Sequence, residues 1–349
     1  MSGRWMIYGA NGYTGRLVVE EARRRGLAPI VAGRRRDATL AVATAHDLEA
    51  RIFDLADARA HLGGVTTLLL CAGPFSQTSR PALDACLAAG VHYLDITGEI
   101  QVFEACLARD EEARTRGIVV LPGAGFDVVP SDCLAARLAA ELPGALSLEL
   151  AFSGGTPSAG TAKTMLEALP EGGLIREAGA LKKVPTAWKT AEVPFSDKTR
   201  HAVSIPWGDI STAYFSTKIP NIVVYLALHE RAARVLRVAE PLLGIFAIPA
   251  VRKAAGMLID RAGMGPKEDE RRAGRAHLWG RVRDGAGREV SATLDTAEGY
   301  TLTAQTAVEI AERVTAGAVA RGAQTPSRAF GAGFIEKFAG SELVVRGPG

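Results

Sequence analysis

Six short apolar runs separated by helix-length segments fill the first 142 residues and leave few folds open. They are "RWMIYG" (4–9), "APIVAG" (28–33), "LEARIFDL" (48–55), "TTLLLCAG" (66–73), "VHYLDITG" (91–98) and "GIVVLPGAG" (117–125). Helix patterns occupy Tyr13–Arg25, Pro81–Ala89 and Val102–Arg116, and Gly26, Gly90 and Gly117 stand where helices commonly end. Strands alternating with helices at this spacing imply right-handed crossovers and a parallel sheet covered on both faces. Residues 1–142 are therefore expected to form a doubly wound nucleotide-binding domain.

The rhythm changes after Pro143. "ALSLELAFSGG" reads as a strand, "SAGTAKTMLEAL" as a short helix, and residues 201–228 as several strands. "AHLWGRVRDGAGREVSATLDT" alternates on both sides of "DGAG", which signals a hairpin. Residues 143–302 are thus expected to form a second α/β domain with a mixed or antiparallel sheet. The helical pattern at 303–322 opens a C-terminal part, 303–349, expected to pack back on the first domain.

The first loop, "YGANGYTG", follows an apolar run and opens a helix, as a dinucleotide-binding turn must. Gly9 permits the tight turn, Gly12 lets backbone N–H groups approach a pyrophosphate, and Gly15 lets the helix sit close to the sheet. Asn11, Tyr13 and Thr14 line the same loop, and Asn11 and Thr14 can add side-chain hydrogen bonds. The second run ends "GRRRD", where NAD-binding domains usually carry an acid for the ribose hydroxyl. Arginine there favours a 2′-phosphate, so NADP is the expected cofactor, with Arg34 as the first partner and Arg35 as the second. Asp54, at the end of the third run, is placed near the adenine. Ala72, Gly73 and Pro74, after the fourth run, are placed along the cofactor's ribose.

Later strand-end loops should border the nicotinamide. Asp95, Thr97 and Glu99 form a polar cluster there. In "PGAGFDVVPSD", Ser131 and Asp132 read equally as helix caps, whereas Asp127 has no evident capping duty. Asp127 and Glu99 are the candidate catalytic groups of this edge. Thr156 and Lys163, in "SGGT" and "SAGTAKT", are candidate donors to a substrate oxygen, and Lys163 reads equally as a surface residue.

Composition narrows the partners. With 41 basic and 38 acidic residues among 349, the net charge of +3 does not call for nucleic acid. The four cysteines show no metal or redox spacing, so no metal is expected, and free thiols fit a reducing cytoplasm. The first strand begins almost at Met1, leaving no room for a signal peptide, and a soluble protein is expected. The most apolar segment, 235–259, is interrupted by Glu240, Pro241, Pro249, Arg252 and Lys253, and its unbroken apolar part is too short to span a bilayer. A buried helix pair broken at the prolines is the expectation, with a lid over an apolar substrate or a peripheral membrane contact as alternatives. The oligomeric state stays open.

Together, "YGANGYTGR", "AGRR", "CAGPF", "YLDITGE", "PGAGFDVVPSD", "SGGT" and "GAQTPSRAFGAGFIEKF" follow the order seen in saccharopine dehydrogenase-like oxidoreductases. The resemblance is strongest to the bacterial branch that includes the trans-acting enoyl reductases of mycobacterial lipid synthesis, and it spans most of the chain. It implies a Rossmann domain, a second α/β domain inserted before C-terminal elements that return to the first, and NADPH as cofactor. Saccharopine dehydrogenases reduce an imine and enoyl reductases a carbon–carbon double bond, so the resemblance leaves a small-molecule or lipidic acyl substrate open.

The leading expectation is an NADPH-dependent reductase of a C=C or C=N bond. One alternative is a short-chain-dehydrogenase-like carbonyl reductase, which needs a Tyr-x-x-x-Lys pair on a helix. Tyr214 and Lys218 fit by letter, but the surroundings read as β-rich, and in a strand they would lie about 13 Å apart. The other alternative is a non-catalytic NADP-sensing regulator, since no Tyr, His or Cys stands out as catalytic; His201, His229 and His277 read as scattered surface or core residues.

Overall fold

Strands apolar on both faces belong inside a covered sheet, and the first unit of the fold is built on such strands. Residues 3–155, 157–262 and 265–347 are described in the computed structural model. Strand β1 (Trp5–Tyr8) is buried along its whole length, and α1 (Tyr13–Arg24) follows across the glycine loop. The alternation continues through β2 (Ile30–Gly33), α2 (Arg36–His46), β3 (Ala50–Ile52), β4 (Thr67–Leu70), α3 (Phe75–Ala89), β5 (His92–Asp95), α4 (Ile100–Leu107), α5 (Asp110–Thr115) and β6 (Val119–Leu121). These strands pair in parallel in the order β3-β2-β1-β4-β5-β6, the doubly wound arrangement. The chain leaves β1 toward β2 and later returns to β4 on the other side, so the switch point lies at the carboxyl end of β1. Gly26, Gly90 and Gly117 all have φ near +70°, as expected past helix ends.

Two helices differ from the sequence reading. The helix expected at Pro81–Ala89 begins at Phe75, with Pro81 inside it, because its first N–H groups find a distant partner, Glu99. The expected Val102–Arg116 helix breaks in two. Asp110, Glu111 and Glu112 form an acidic first turn that favours a fresh N-terminus, and Arg109 pairs with Glu112.

The second unit begins with α6 (Val129–Glu141), β7 (Ser147–Ser153), α7 (Ala159–Ala168), β8 (Gly173–Glu177), β9 (Ala180–Val184), β10 (Thr190–Pro194) and β11 (Thr199–Ile205). It continues with α8 (Asp209–Thr217), β12 (Asn221–Ala227), α9 (Glu230–Leu243), α10 (Pro249–Ala262), α11 (Glu268–Ala273), β13 (Arg275–Arg283) and β14 (Glu289–Ala297). Along the chain α12 (Gly299–Thr315), β15 (Gly322–Ala323) and α13 (Pro326–Phe330) return to the first unit, and β16 (Glu342–Arg346) closes the second. The second sheet runs β10-β11-β12-β7-β13-β14-β16 and is mixed: β12 and β7 are parallel, and the other neighbours on this path are antiparallel. The expected hairpin is β13–β14, where Asp284 accepts hydrogen bonds from the N–H groups of Ala286 and Arg288, both at 2.9 Å.

The stretch 201–228, expected as strands alone, contains a helix, α8. Tyr214 therefore sits one helical turn before Lys218, whose ammonium lies 5.6 Å from the tyrosine ring centroid. Lys218 ends the helix in a left-handed conformation, φ +62°, and a second cation, Arg176, stacks on the same ring at 4.3 Å. The pair is near in space, but it is a cation–ring stack.

The unit boundaries also differ from those read in the sequence. The first unit comprises residues up to Val129 together with Tyr300–Phe330, and the second comprises Pro130–Gly299 and the residues from Gly331 onward. Helix α6 thus belongs to the second unit. Residues 331–347 join it as well, instead of following 303–330 into the first, because β16 pairs with β14. Helix α12 belongs to the first unit: Arg25, just past α1, reaches Glu309, Glu312 and the Gln305 carbonyl, and β15 extends the parallel sheet beside β6.

Candidate dinucleotide site

The loop between β1 and α1 is shaped by what its glycines exclude. Gly9 has φ +88°, and a Cβ there would lie 2.8 Å from Ala72. A Cβ at Gly15 would lie 2.2 Å from the Gly9 carbonyl oxygen, so only glycine lets α1 start this close to the strand. Gly12 is the N-cap of α1, and its N–H bonds back to the Gly9 carbonyl at 3.0 Å. Gly12 has no side chain with which to cap this helix, and its first turn holds no acid. Thr14 and Gly15 therefore bring N–H donors, and the helix its positive dipole end, to the switch point, which fits a pyrophosphate. Asn11 points across the loop: a Cβ at Gly33 would lie 3.0 Å from its amide oxygen and 2.8 Å from the Thr39 hydroxyl. That hydroxyl is buried and has no hydrogen-bond partner among the described residues, so the cradle keeps an unused polar atom. Tyr13 packs edge-on against Tyr300, with ring centroids 5.0 Å apart, and Thr14 follows it in the first turn of α1.

Two exposed arginines and one acid stand at the ends of β2 and β3. Arg34 and Arg35 are exposed, and neither makes an ion pair or side-chain hydrogen bond among the described residues. Arg35 is the N-cap of α2. Asp54 caps the short 3₁₀ helix Leu55–His61 by accepting the Ala56 N–H at 3.2 Å. Burial pushes the Tyr8 hydroxyl up to about 12, with Asp54 adding to the rise and Arg34 opposing it, so both charges act at this corner. Ala72, Gly73 and Pro74 form the turn after β4. The Gly73–Pro74 peptide is cis, and Thr78 donates its hydroxyl to the Ala72 carbonyl at 2.6 Å.

Glu99 and Asp127 are brought together in this unit, but not as a matched pair. Glu99 accepts the N–H groups of Phe75 and Ser76 at 2.8 and 2.7 Å, one on each carboxylate oxygen. Its carboxylate thereby caps α3, a duty the sequence did not show. Asp127 is half-buried, and a Cβ at Gly98 would lie 2.9 Å from its Oδ2. Burial first, and the nearby Glu99 charge second, push its carboxyl up to about 7. Its loop is held by two residues that sequence reasoning missed: Thr303 accepts the Phe126 N–H at 2.9 Å, and Thr306 donates to the Ala124 carbonyl at 2.8 Å. The available signal was a pair of threonines three apart on the apolar face of α12.

Asp95 and Thr97, expected to line the cleft, are fully buried. Asp95 accepts the Tyr93 hydroxyl at 2.7 Å, the Gly123 N–H at 2.8 Å and the Thr97 N–H at 3.0 Å, and burial raises it to about 6. It ties the β5 and β6 loops from behind.

Residues 5–121 match the family model of the saccharopine dehydrogenase NADP-binding domain. Residues 5–121, within the first unit, are similar to that family's nucleotide domain. A bovine saccharopine dehydrogenase-like oxidoreductase is 26% identical over 217 residues, covering 56% of this chain and 46% of that protein. A trans-acting enoyl reductase of Mycobacterium leprae is 30% identical over 138 residues, 36% of this chain and 33% of that protein. The chain spans less than half the length of these relatives. Saccharopine dehydrogenase (L-Glu forming) from Saccharomyces cerevisiae superposes with a TM-score of 0.66 at 11% identity, covering 99% of this chain and 100% of the yeast chain, and shares its fold.

The second unit holds the remaining candidates. Lys163 is half-buried on α7, and a Cβ at Gly256 of α10 would lie 3.7 Å from its Cε. It belongs to the other unit from Asp127 and Glu99. Thr156 lies outside the described residues. Asp132 accepts the Ser216 hydroxyl at 2.6 Å and is buried. His201 is bonded to Glu192, His229 caps α9, and His277 is bonded to Asp295. The Ser196 hydroxyl approaches the same Nδ1 of His277 that faces Asp295, which is not the relay of a nucleophilic triad. All four cysteines are free and buried, and no metal-ligand cluster occurs among the described residues.

Proposed function

We propose that the protein is an NADPH-dependent oxidoreductase that reduces a polarised C=C or C=N bond. The observation that carries this reading is the presence, in one unit, of an uncapped glycine-loop helix start and a half-buried Asp127 carboxyl raised to about 7. The α1 start and Asn11 would hold the dinucleotide, and Arg34 and Arg35, unpaired and exposed, favour a 2′-phosphate and hence NADP. The bound nucleotide supplies hydride. Asp127 holds a proton near neutral pH, where a general acid is most effective, and gives it to the atom that does not receive hydride. Glu99 keeps that proton in place through its negative charge, while Thr303 and Thr306 fix the loop. Relatives named for enoyl reduction and for saccharopine both support a double bond that takes hydride at one end and a proton at the other.

The test is NADPH consumption with enoyl thioesters and with imines, each against wild type and Asp127→Asn. Asp127→Asn should slow turnover by about 10²–10⁴-fold with NADPH affinity little changed. An unchanged rate removes Asp127 as the acid. Tight NADPH binding without oxidation by either acceptor class would replace the reductase with a sensor.

A further inference from the structure

The apolar segment 235–259 is a helix pair, but its apolar side faces outward instead of into a core. Seven of the twelve large hydrophobic side chains exposed among the described residues lie between Val235 and Leu258. On α9 and the turn after it, Val235, Val238, Leu242 and Ile245 follow at steps of three and four, so they form one stripe. That stripe points to solvent: Val238 is 76% and Leu242 73% exposed, whereas Ala233 and Leu243 form the buried side. On α10 the outer stripe carries Lys253, Met257, Leu258 and Arg261, and the helix packs on α7. The two helices meet at a bend of 107°, with Ile245 and Ile248 exposed at the corner.

Charge is distributed around this corner with one sign dominant. The eleven residues Pro241–Val251 carry none. Between 230 and 261 there are six basic residues and three acids. Of the acids, Glu230 pairs with Arg234, and Glu240 is turned inward to the Thr186 N–H at 2.6 Å. No single helix among the described residues is long and apolar enough to cross a membrane. An apolar tip with a basic rim on helices too short to span fits the headgroup boundary of a bilayer. A second copy docked about a two-fold axis would instead set the basic rim against itself.

We propose that the α9–α10 corner is a membrane-docking element: residues Pro241–Val251 enter the interface of an anionic bilayer, and Arg231, Arg234, Lys253 and Arg261 contact lipid phosphates. The inference is independent of the proposed reduction, because binding is read without turnover. The experiment is flotation of the whole chain with vesicles of phosphatidylcholine alone or with about a third phosphatidylglycerol. Wild type should float with the anionic vesicles, release as salt is raised, and bind the neutral ones much less. Val238→Glu/Leu242→Glu/Ile245→Glu should bind at least about tenfold more weakly while keeping wild-type NADPH affinity as a check of folding. Lys253→Glu/Arg261→Glu should lose mainly the preference for anionic lipid. Wild-type protein that ignores both vesicle types, or a triple variant that binds as wild type, overturns the proposal. So does a wild-type dimer that the triple variant splits without any vesicle binding, which would assign the corner to a second copy.

Discussion

Two helix starts face the carboxyl edge of the same parallel sheet, and they are finished in opposite ways. Helix α1 begins at Gly12 with no side-chain cap and no first-turn acid. Helix α3 begins after Pro74 with both oxygens of Glu99 on its first two N–H groups. Each start carries orphan donors and a partial positive charge. At α3 the protein supplies the anion itself, and at α1 it leaves that place to a ligand. The contrast marks the α1 start as the place suited to an anion without any motif, and it gives Glu99 a capping duty at α3.

The largest effect should come from closing the open start. Gly15→Val sets side-chain atoms against the Gly9 carbonyl, where even a Cβ would lie 2.2 Å away. Overpacking of this kind costs about 1–3 kcal/mol, and NADPH affinity should fall by up to about 100-fold in fluorescence titration. Wild-type affinity in a folded variant would mean that the α1 start is not the anion site, and the comparison of the two helices would lose its functional meaning.

A smaller effect tests which dinucleotide the open start receives. Arg34→Asp should weaken NADP binding about tenfold or more, roughly 1.4 kcal/mol, by replacing a phosphate partner with a repelling charge. NAD affinity should stay within about twofold, because its ribose hydroxyl accepts a carboxylate partner. Equal loss for both nucleotides would place the 2′-phosphate elsewhere.

What the sequence disclosed follows from the range of the forces involved. Gly9, Gly12 and Gly15 were legible because each answers to a steric demand within a few residues, and six of the seven strands of the first sheet were legible because burial on both faces leaves continuous apolar runs. The capping duty of Glu99 was not legible because its partners lie 23 and 24 residues earlier in the chain. Thr303 acts on a loop 177 residues away, a distance over which local pattern carries no information. Helix α8 hid in a β-rich stretch because tertiary context overrode propensity. In α9 and α10 the period was right and the direction wrong. Spacing at three and four shows that a helix has an apolar stripe, but it does not say whether the stripe meets a core or a bilayer.

The smallest and most discriminating change is Glu99→Gln. The amide can still accept one of the two α3 N–H groups, so the cap weakens by about 1 kcal/mol, seen as a modest drop in melting temperature. Its loss of charge acts on Asp127. Burial and Glu99 together raise that carboxyl from its usual range to about 7, so the folded state holds a proton that the unfolded chain releases. Asp127 therefore contributes stability at acid pH that is lost as pH rises from about 4 through 7. Without the Glu99 charge the carboxyl should titrate lower. The alkaline limb of kcat/KM should then move to lower pH, and the loss of stability across that window should become shallower. A pH profile that stays in place while the melting temperature falls would confine Glu99 to capping. A profile that moves would show that the carboxylate closing one helix start also tunes the acid beside the open one.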